Sequence, residues 1–324
     1  MSPIGHTATC PARAALAGNP SDGHGGAVVS TVVPAVAATV QIQSSARFEV
    51  AGADLVYGSI EELSERVAEQ GCGDVQPLVP ATLAMLHRHL GARISPQRVE
   101  VRSTIPRSVG LAGSSAIVIA TIRAMIAAHS DEPWAQSLTA EPALLASLAL
   151  AAEREILGIA AGLQDRVVQT LGGTVAMEFG PESTRTIDGF EAGAYRRLLG
   201  LPSGLFVAYR AEAAADSGQV HAALDPDDPA VRRAMDGAAS AARAAADAID
   251  AGDIAALGTA MDETFDLRAS VMSLDPAHVE MIDVTRAAGA SANYTGSGGA
   301  VIVLAADDRA RTSLEALGCD ILGL

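Results

Sequence analysis

Lysine is absent from the 324 residues: all 22 basic side chains are arginine. That removes the lysine-dependent P-loop, Schiff-base enzymes and any catalytic lysine. Arginine, backbone N–H or a metal ion must then meet any bound anion. Positive charge is itself scarce, 22 cations against 38 acids for a net charge of −16, which disfavours nucleic acid and anionic membranes as partners. Cys10, Cys72 and Cys319 are odd in number, far apart and in no C-x-x-C, arguing against a disulfide framework or a zinc site and for a reducing cytoplasm. Aromatic residues make up only 3%, so a core must come from Ala, Val, Leu and Ile. No apolar run reaches the roughly 18 residues of a membrane span: Arg123 interrupts Ala116–Ala128, and Glu141 and Glu153 bound the next run. No basic stretch followed by an apolar one marks a secretory signal at the N-terminus.

What is present suits a folded chain. Hydrophobic residues reach 49% and charged ones 19%, and at roughly 150 residues per domain the length suggests two domains. Short β-rich runs at Ala27–Val33 and Ala37–Gln43 predict an antiparallel meander between Thr7 and Val50. Ser59 before Glu61, Glu62, Leu63 and Val67 predicts a capped helix, Val79–Leu90 a second, and Val99–Ser103 a strand. Ser114–Ala128 and Ala143–Leu157 read as buried helices, Thr174–Phe179 as a strand and Gly180–Gly204 as the linker. Beyond it come a strand at Leu205–Tyr209, helices near Pro229–Ala251 and Ile254–Val271, then helix Pro276–Ala288, strands Ser291–Tyr294 and Ala300–Leu304, and helix Asp308–Leu317. That pattern predicts an α+β sandwich of ferredoxin-like type. The tract Ala238–Ala251 reads as a solvated helix.

Four segments carry chemistry. Gly110-Leu111-Ala112-Gly113-Ser114-Ser115-Ala116 joins a strand to an apolar helix; free N–H groups at such a helix start attract phosphate, although an ordinary Gly-Ser cap has the same text. Asn19-Pro20-Ser21-Asp22-Gly23-His24-Gly25-Gly26 gathers turn formers with groups that hydrogen-bond a polyhydroxylated ligand, or simply turn the chain. Glu153 and Asp165 flank a Gly-punctuated turn. They can converge as metal ligand and base, or form a solvated helix end paired with Arg166. Thr295-Gly296-Ser297-Gly298-Gly299-Ala300 is dense in glycine and otherwise a plain hairpin turn.

Taken in order, these segments resemble the GHMP small-molecule kinase superfamily over most of the chain, from Pro11 to Leu304. Within it they look most like the glucuronokinases, through Gly-Asn-Pro-Ser-Asp, Gly-Ser-Ser-Ala-Ile-Val, Gly162-Leu-Gln-Asp-Arg-Val, Asp216-Ser-Gly-Gln-Val-His221 and Tyr294-Thr-Gly-Ser-Gly-Gly-Ala300. The resemblance implies a two-domain α+β fold: a ribosomal-protein-S5-like domain over residues 1–190 and a ferredoxin-like domain over 191–324. It implies transfer of the γ-phosphoryl group of ATP, with Mg²⁺, to the anomeric hydroxyl of a uronic acid. The roles it implies are Gly110–Ala116 around the phosphates, Ser115 and Glu153 on Mg²⁺, Asp165 as base and Arg13 beside it. Asn19, Ser21, Asp22, His24, Gly25, Gly296, Ser297 and Gly298 would hold the sugar. Arg166, or else Arg210 or backbone or hydroxyl donors, would meet its carboxylate. The phosphate loop is one residue longer than Gly-Leu-Gly-Ser-Ser, and Asn19-Pro20 stands where galactokinases have Glu-His. Galactose is thereby disfavoured. Alternatives are a kinase of galactose, arabinose, homoserine or mevalonate, or a non-catalytic sugar and ATP sensor. The Val50–Pro80 stretch is the expected adenine wall, and the acidic chain suits a monomer or homodimer.

Overall fold

A computed structural model describes residues 5–53, 56–210 and 225–324. The Asp216–His221 motif lies outside the described residues. The chain opens with a long hairpin, β1 (Gly5–Ala17) and β2 (Ala27–Ser44), followed by β3 (Phe48–Val50) and β4 (Val56–Tyr57). Then come α1 (Ile60–Gln70), α2 (Leu78–Leu90), β5 (Gln97–Ser103), α3 (Gly113–Ala128), α4 (Pro133–Ala140), α5 (Pro142–Ala151) and α6 (Leu163–Leu171). Strands β6 (Thr174–Glu178), β7 (Arg185–Ile187), β8 (Phe190–Ala192) and β9 (Ala194–Leu198) follow. The second half holds β10 (Leu205–Tyr209), α7 (Pro229–Ala251), α8 (Ile254–Val271), α9 (Pro276–Ala287), β11 (Ser291–Tyr294), β12 (Ala300–Leu304), α10 (Arg309–Ala316) and β13 (Asp320–Gly323).

The expected meander is one hairpin. Residues 27–44 form a single strand that pairs with β1 over Val29–Val33 and Ala37–Gln43, while its other edge is shared: Ala27–Thr31 pair with β6 and Ala38–Ser44 with β5. Pro34 lacks a backbone donor and reads as a strand break. Here it sits in the stretch where the ladder slips, opposite Pro11 and Ala12, so the irregularity absorbs it. Helix α1 starts where its sequence says: Ser59 accepts from Glu62 N at 3.2 Å and the Glu62 carboxylate reaches back to Gly58 N at 2.6 Å.

The linker expected at Gly180–Gly204 is a structured segment. Its glycines are turns between short strands, and β9 pairs antiparallel with β6, so the first sheet extends to Leu198 and past the boundary expected at 190/191. The second sheet has strand order β11-β12-β10-β13, antiparallel throughout, which is the ferredoxin-like order.

The Ala-rich tract is half buried, not solvated. Ala238, Ala239, Ala242, Ala245 and Ala246 of α7 are buried, while Arg243, Asp247 and Asp250 face outward. Alanine lets the helix lie close on the hairpin: a Cβ on Gly18 would come within 2.7 Å of the Ala242 Cβ. One apolar core therefore runs through both halves, joining Leu16 and Val29 to Ala242, Leu257 and Ile302. No helix among the described residues is long and apolar enough to cross a membrane.

Candidate active site

Strand β1 delivers Arg13 into the molecule, where it is 6% exposed. Its Nε donates to Asp165 Oδ1 at 2.6 Å, and its Nη1 donates to the carbonyls of Gly110 and Thr295, each at 2.6 Å. One guanidinium thus ties together an acid in the first turn of α6, the loop before α3 and the turn after β11. An acid in a helix's first turn is stabilised by the dipole at that end.

The loop and the start of α3 have the geometry of an anion cradle. Ala112 takes a left-handed conformation (φ 59°) at the N-cap, no side chain caps the helix, and the amides of Gly113, Ser114 and Ser115 begin it. Such uncapped N–H groups favour negative charge. Two members of the expected phosphate set do other work: Ala116 donates its N–H to Ala112 O at 3.2 Å, as an ordinary helical residue, and its side chain, like that of Leu111, is buried in the core. The Gly-rich turn 296–298 packs directly on the loop. A Cβ on Gly110 would lie 2.8 Å from Gly298 O, and one on Gly296 would lie 2.5 Å from Gly110 O and 3.0 Å from both terminal nitrogens of Arg13.

Glu153 follows α5 in a single π turn, Ala152–Ile156. It is fully buried, and one of its oxygens, Oε2, accepts from Arg166 Nε at 2.7 Å and from Arg166 Nη2. The solvated helix end is thereby excluded, since the pair is inside the protein. Arg166 Nη1 goes to Gly162 O at 2.9 Å and to Asp165 Oδ2 at 3.4 Å. Burial opposes the charge of Arg166, and Glu153 and Asp165 outweigh it, so its pKa is raised. With four of its five N–H donors committed in this way, Arg166 keeps no free fork for a substrate carboxylate. Arg210 pairs with Glu280 at 3.3 Å.

The residues expected to hold Mg²⁺ fit a hard cation. Glu153 Oε1 is buried without a hydrogen-bond partner, and Ser115 directs its hydroxyl hydrogen to Gln169 Oε1 at 2.6 Å, which leaves oxygen lone pairs for a ligand bond. Among the described residues there is no cluster of three or more His, Cys, Asp or Glu that could hold a metal alone, so other oxygens must complete the shell.

The first Gly-rich motif divides. Asn19 is buried and bonded to β11, donating to Tyr294 O at 3.1 Å and accepting from Asn293 at 2.9 Å; Ser21 donates to Ala27 O at 2.8 Å and closes its own loop. Neither side chain is offered to a sugar, because both satisfy buried polar groups. Asp22 is half-buried against Gly162, where a Cβ would lie 2.6 Å from its Oδ2, and its charge is felt by Arg166 and Arg268. His24 and Gly25 lie at the end of the same turn, half-buried and exposed respectively.

Two residues escaped the sequence. Gln169 is 1% exposed and bridges α6 to the phosphate loop, with Nε2 donating to Pro11 O at 2.9 Å and Ala112 O at 3.0 Å. It stands four residues after Asp165, one helical turn along the same face. Arg268 of α8 is 1% exposed and donates Nη1 to Gly296 O at 2.7 Å. Leu257, Met261, Thr264 and Arg268 are all buried, and that helical spacing was the available signal.

Comparison with known proteins places this geometry. A family model for GHMP kinases N terminal domain matches residues 77–173, and one for GHMP kinases C terminal matches 245–318. Glucuronokinase 1 of Arabidopsis thaliana is 30% identical over 321 residues, covering 94% of this chain and 86% of its own. Probable glucuronokinase 2 of the same organism is 32% identical over 322 residues, covering 94% and 85%. The Lactococcus lactis galactokinase crystallised with galactose superposes with a TM-score of 0.73 at 14% identity, covering 98% of this chain and 92% of its own.

Proposed function

The chain belongs to the GHMP kinase family, and from that premise we propose that it is an ATP-dependent sugar kinase acting on the anomeric hydroxyl of glucuronic acid. The observation that carries the reading is the position of Arg13, which holds Asp165, the phosphate loop and the Gly-rich turn within 2.6 Å of one guanidinium. Both relatives named as glucuronokinases align over nearly the whole chain, and this supports the uronic acid as substrate.

In this reading Asp165 accepts the hydroxyl proton, and the sugar oxygen bonds to the γ-phosphorus as the bond to the ADP oxygen breaks. Arg13 orients that carboxylate and neutralises charge developing on the transferred group, in a chain that has no lysine to do so. The amides at the start of α3 cradle the phosphates. Glu153 Oε1 and Ser115 Oγ would hold Mg²⁺, which when bound neutralises phosphate charge. Catalysis is then mainly positioning and electrostatic complementarity.

The test is ADP release from Mg²⁺/ATP with glucuronic acid, galacturonic acid, galactose, arabinose, homoserine and mevalonate. Turnover highest on glucuronic acid is the expected result. Preference for another acceptor overturns the substrate, and ATP binding with no ADP from any of them overturns the catalytic reading.

A further inference from the structure

Arg268 is a buried cation with an uncommitted edge. Its Nη1 is held by Gly296 O and its guanidinium lies 5.1 Å from the centre of the Tyr294 ring, but Nε and Nη2 are buried and bonded to nothing. Buried arginine donors are rarely left unpaired. Nε–H and Nη2–H are also the two parallel donors of the guanidinium's lateral fork, the geometry that matches a carboxylate.

Its place in the molecule identifies the ligand. Gly296 separates Arg268 from Arg13: the glycine's carbonyl bonds the first, and a Cβ there would lie 3.0 Å from the second. Arg268 is thus one residue removed from the Arg13–Asp165 pair, and the charge of Asp22 is felt there. The other buried arginines have no free fork, since Arg13 is bonded to Asp165 and two carbonyls and Arg166 to Glu153, Gly162 and Asp165.

We propose that the free edge of Arg268 binds the C6 carboxylate of the hexuronic acid whose anomeric hydroxyl faces Asp165, making Arg268 the residue that selects an acid over a neutral sugar. This rests on the sugar-kinase reading above. Burial, with a smaller contribution from Arg13, pushes the Arg268 pKa down to about 10. The side chain is therefore still charged at neutral pH, and its burial destabilises the free protein until an anion arrives.

The experiment compares wild type, Arg268→Met and Arg268→Lys on glucuronate and its neutral analogue glucuronamide, and records thermal midpoints with and without each. The expected result is a fall on the order of 100-fold in the glucuronate-to-glucuronamide ratio of kcat/KM for Arg268→Met, as for loss of one partner of a buried charge pair. The lysine variant, with charge but no fork, should fall between. The ligand-free midpoint of Arg268→Met should equal or exceed wild type, and its rise with glucuronate should vanish. A purely structural arginine would lower that midpoint and leave the ratio alone. An unchanged ratio in a folded variant overturns the proposal; if the methionine variant does not fold, the same ratio is read in the lysine variant. If wild type forms no ADP with glucuronate, the substrate reading fails separately. The thermal response then decides: a glucuronate-induced rise in wild type that Arg268→Met loses supports the carboxylate subsite, and no rise in wild type overturns it.

Discussion

Asp165 and Arg13 are 152 residues apart in the chain and 2.6 Å apart in space. If Asp165 takes the proton, Asp165→Asn, which keeps the shape and removes the basicity, should lower kcat by roughly 10²- to 10⁴-fold with little change in ATP affinity. Single-turnover rates and ATP titration check this, and near-full activity would remove Asp165 from the role. Gln169 touches no reacting atom in this arrangement and acts through its neighbours. Gln169→Leu removes the acceptor of the Ser115 hydroxyl and the donor to Pro11 O, while Ala112 O keeps the Ala116 N–H, and should cost about 2–4 kcal/mol of stability. It should also raise the Mg²⁺ concentration needed for half-maximal rate, because Ser115 loses the acceptor that orients it. Urea unfolding and a Mg²⁺ titration measure the two effects; a stability loss with an unchanged Mg²⁺ requirement would make Gln169 purely structural.

At the level of elements, the site is a meeting of two Gly-rich turns over the N-terminus of α3. Glycine is required where the turns touch. A side chain on Gly296 would enter the space of Gly110 O and both terminal nitrogens of Arg13, so Gly296→Ala must displace the arginine that positions the acid. Small displacements of this kind can cost about 100-fold in rate, and the expected outcome is that loss in kcat with a native far-UV spectrum. Unchanged kcat would place the turn outside the reacting geometry. The same principle of small residues at close approach explains α7, whose alanines let it lie on the β1–β2 hairpin. The composition of that tract was plain in the sequence, but which face it buries depends on the sheet it meets.

For the whole molecule, the largest apolar cluster spans both sheets. Because Leu16, Val29, Ala242, Leu257 and Ile302 belong to a single apolar cluster, part of each half's apolar surface is buried only against the other. The intact chain should unfold in one calorimetric transition, and residues 1–198 and 205–324 made separately should lack cooperative unfolding. Two well-separated transitions would show independent domains. The continuity also accounts for the strands found where a linker is expected. Gly180, Gly189, Gly193, Gly200 and Gly204 have the composition of a linker, whereas β9 closes the edge of the first sheet through pairing with β6, a partner read only from the fold.

By itself the sequence determined what is local. The absence of lysine leaves arginine and amides to meet anions, Ser59 caps α1, the Gly-Ser loop begins an apolar helix, and the order of the motifs carries the kinase resemblance. These follow from composition, capping and turn chemistry, which act within a few residues. Only the tertiary structure decided which arginine holds which acid. It committed Arg166 to Glu153, put Asn19 and Ser21 to structural use, and left Arg268 with a free edge. The reason is physical: a long side chain is satisfied by whatever donor or acceptor the fold brings within about 3 Å, and Arg13 finds Thr295 from 282 residues away.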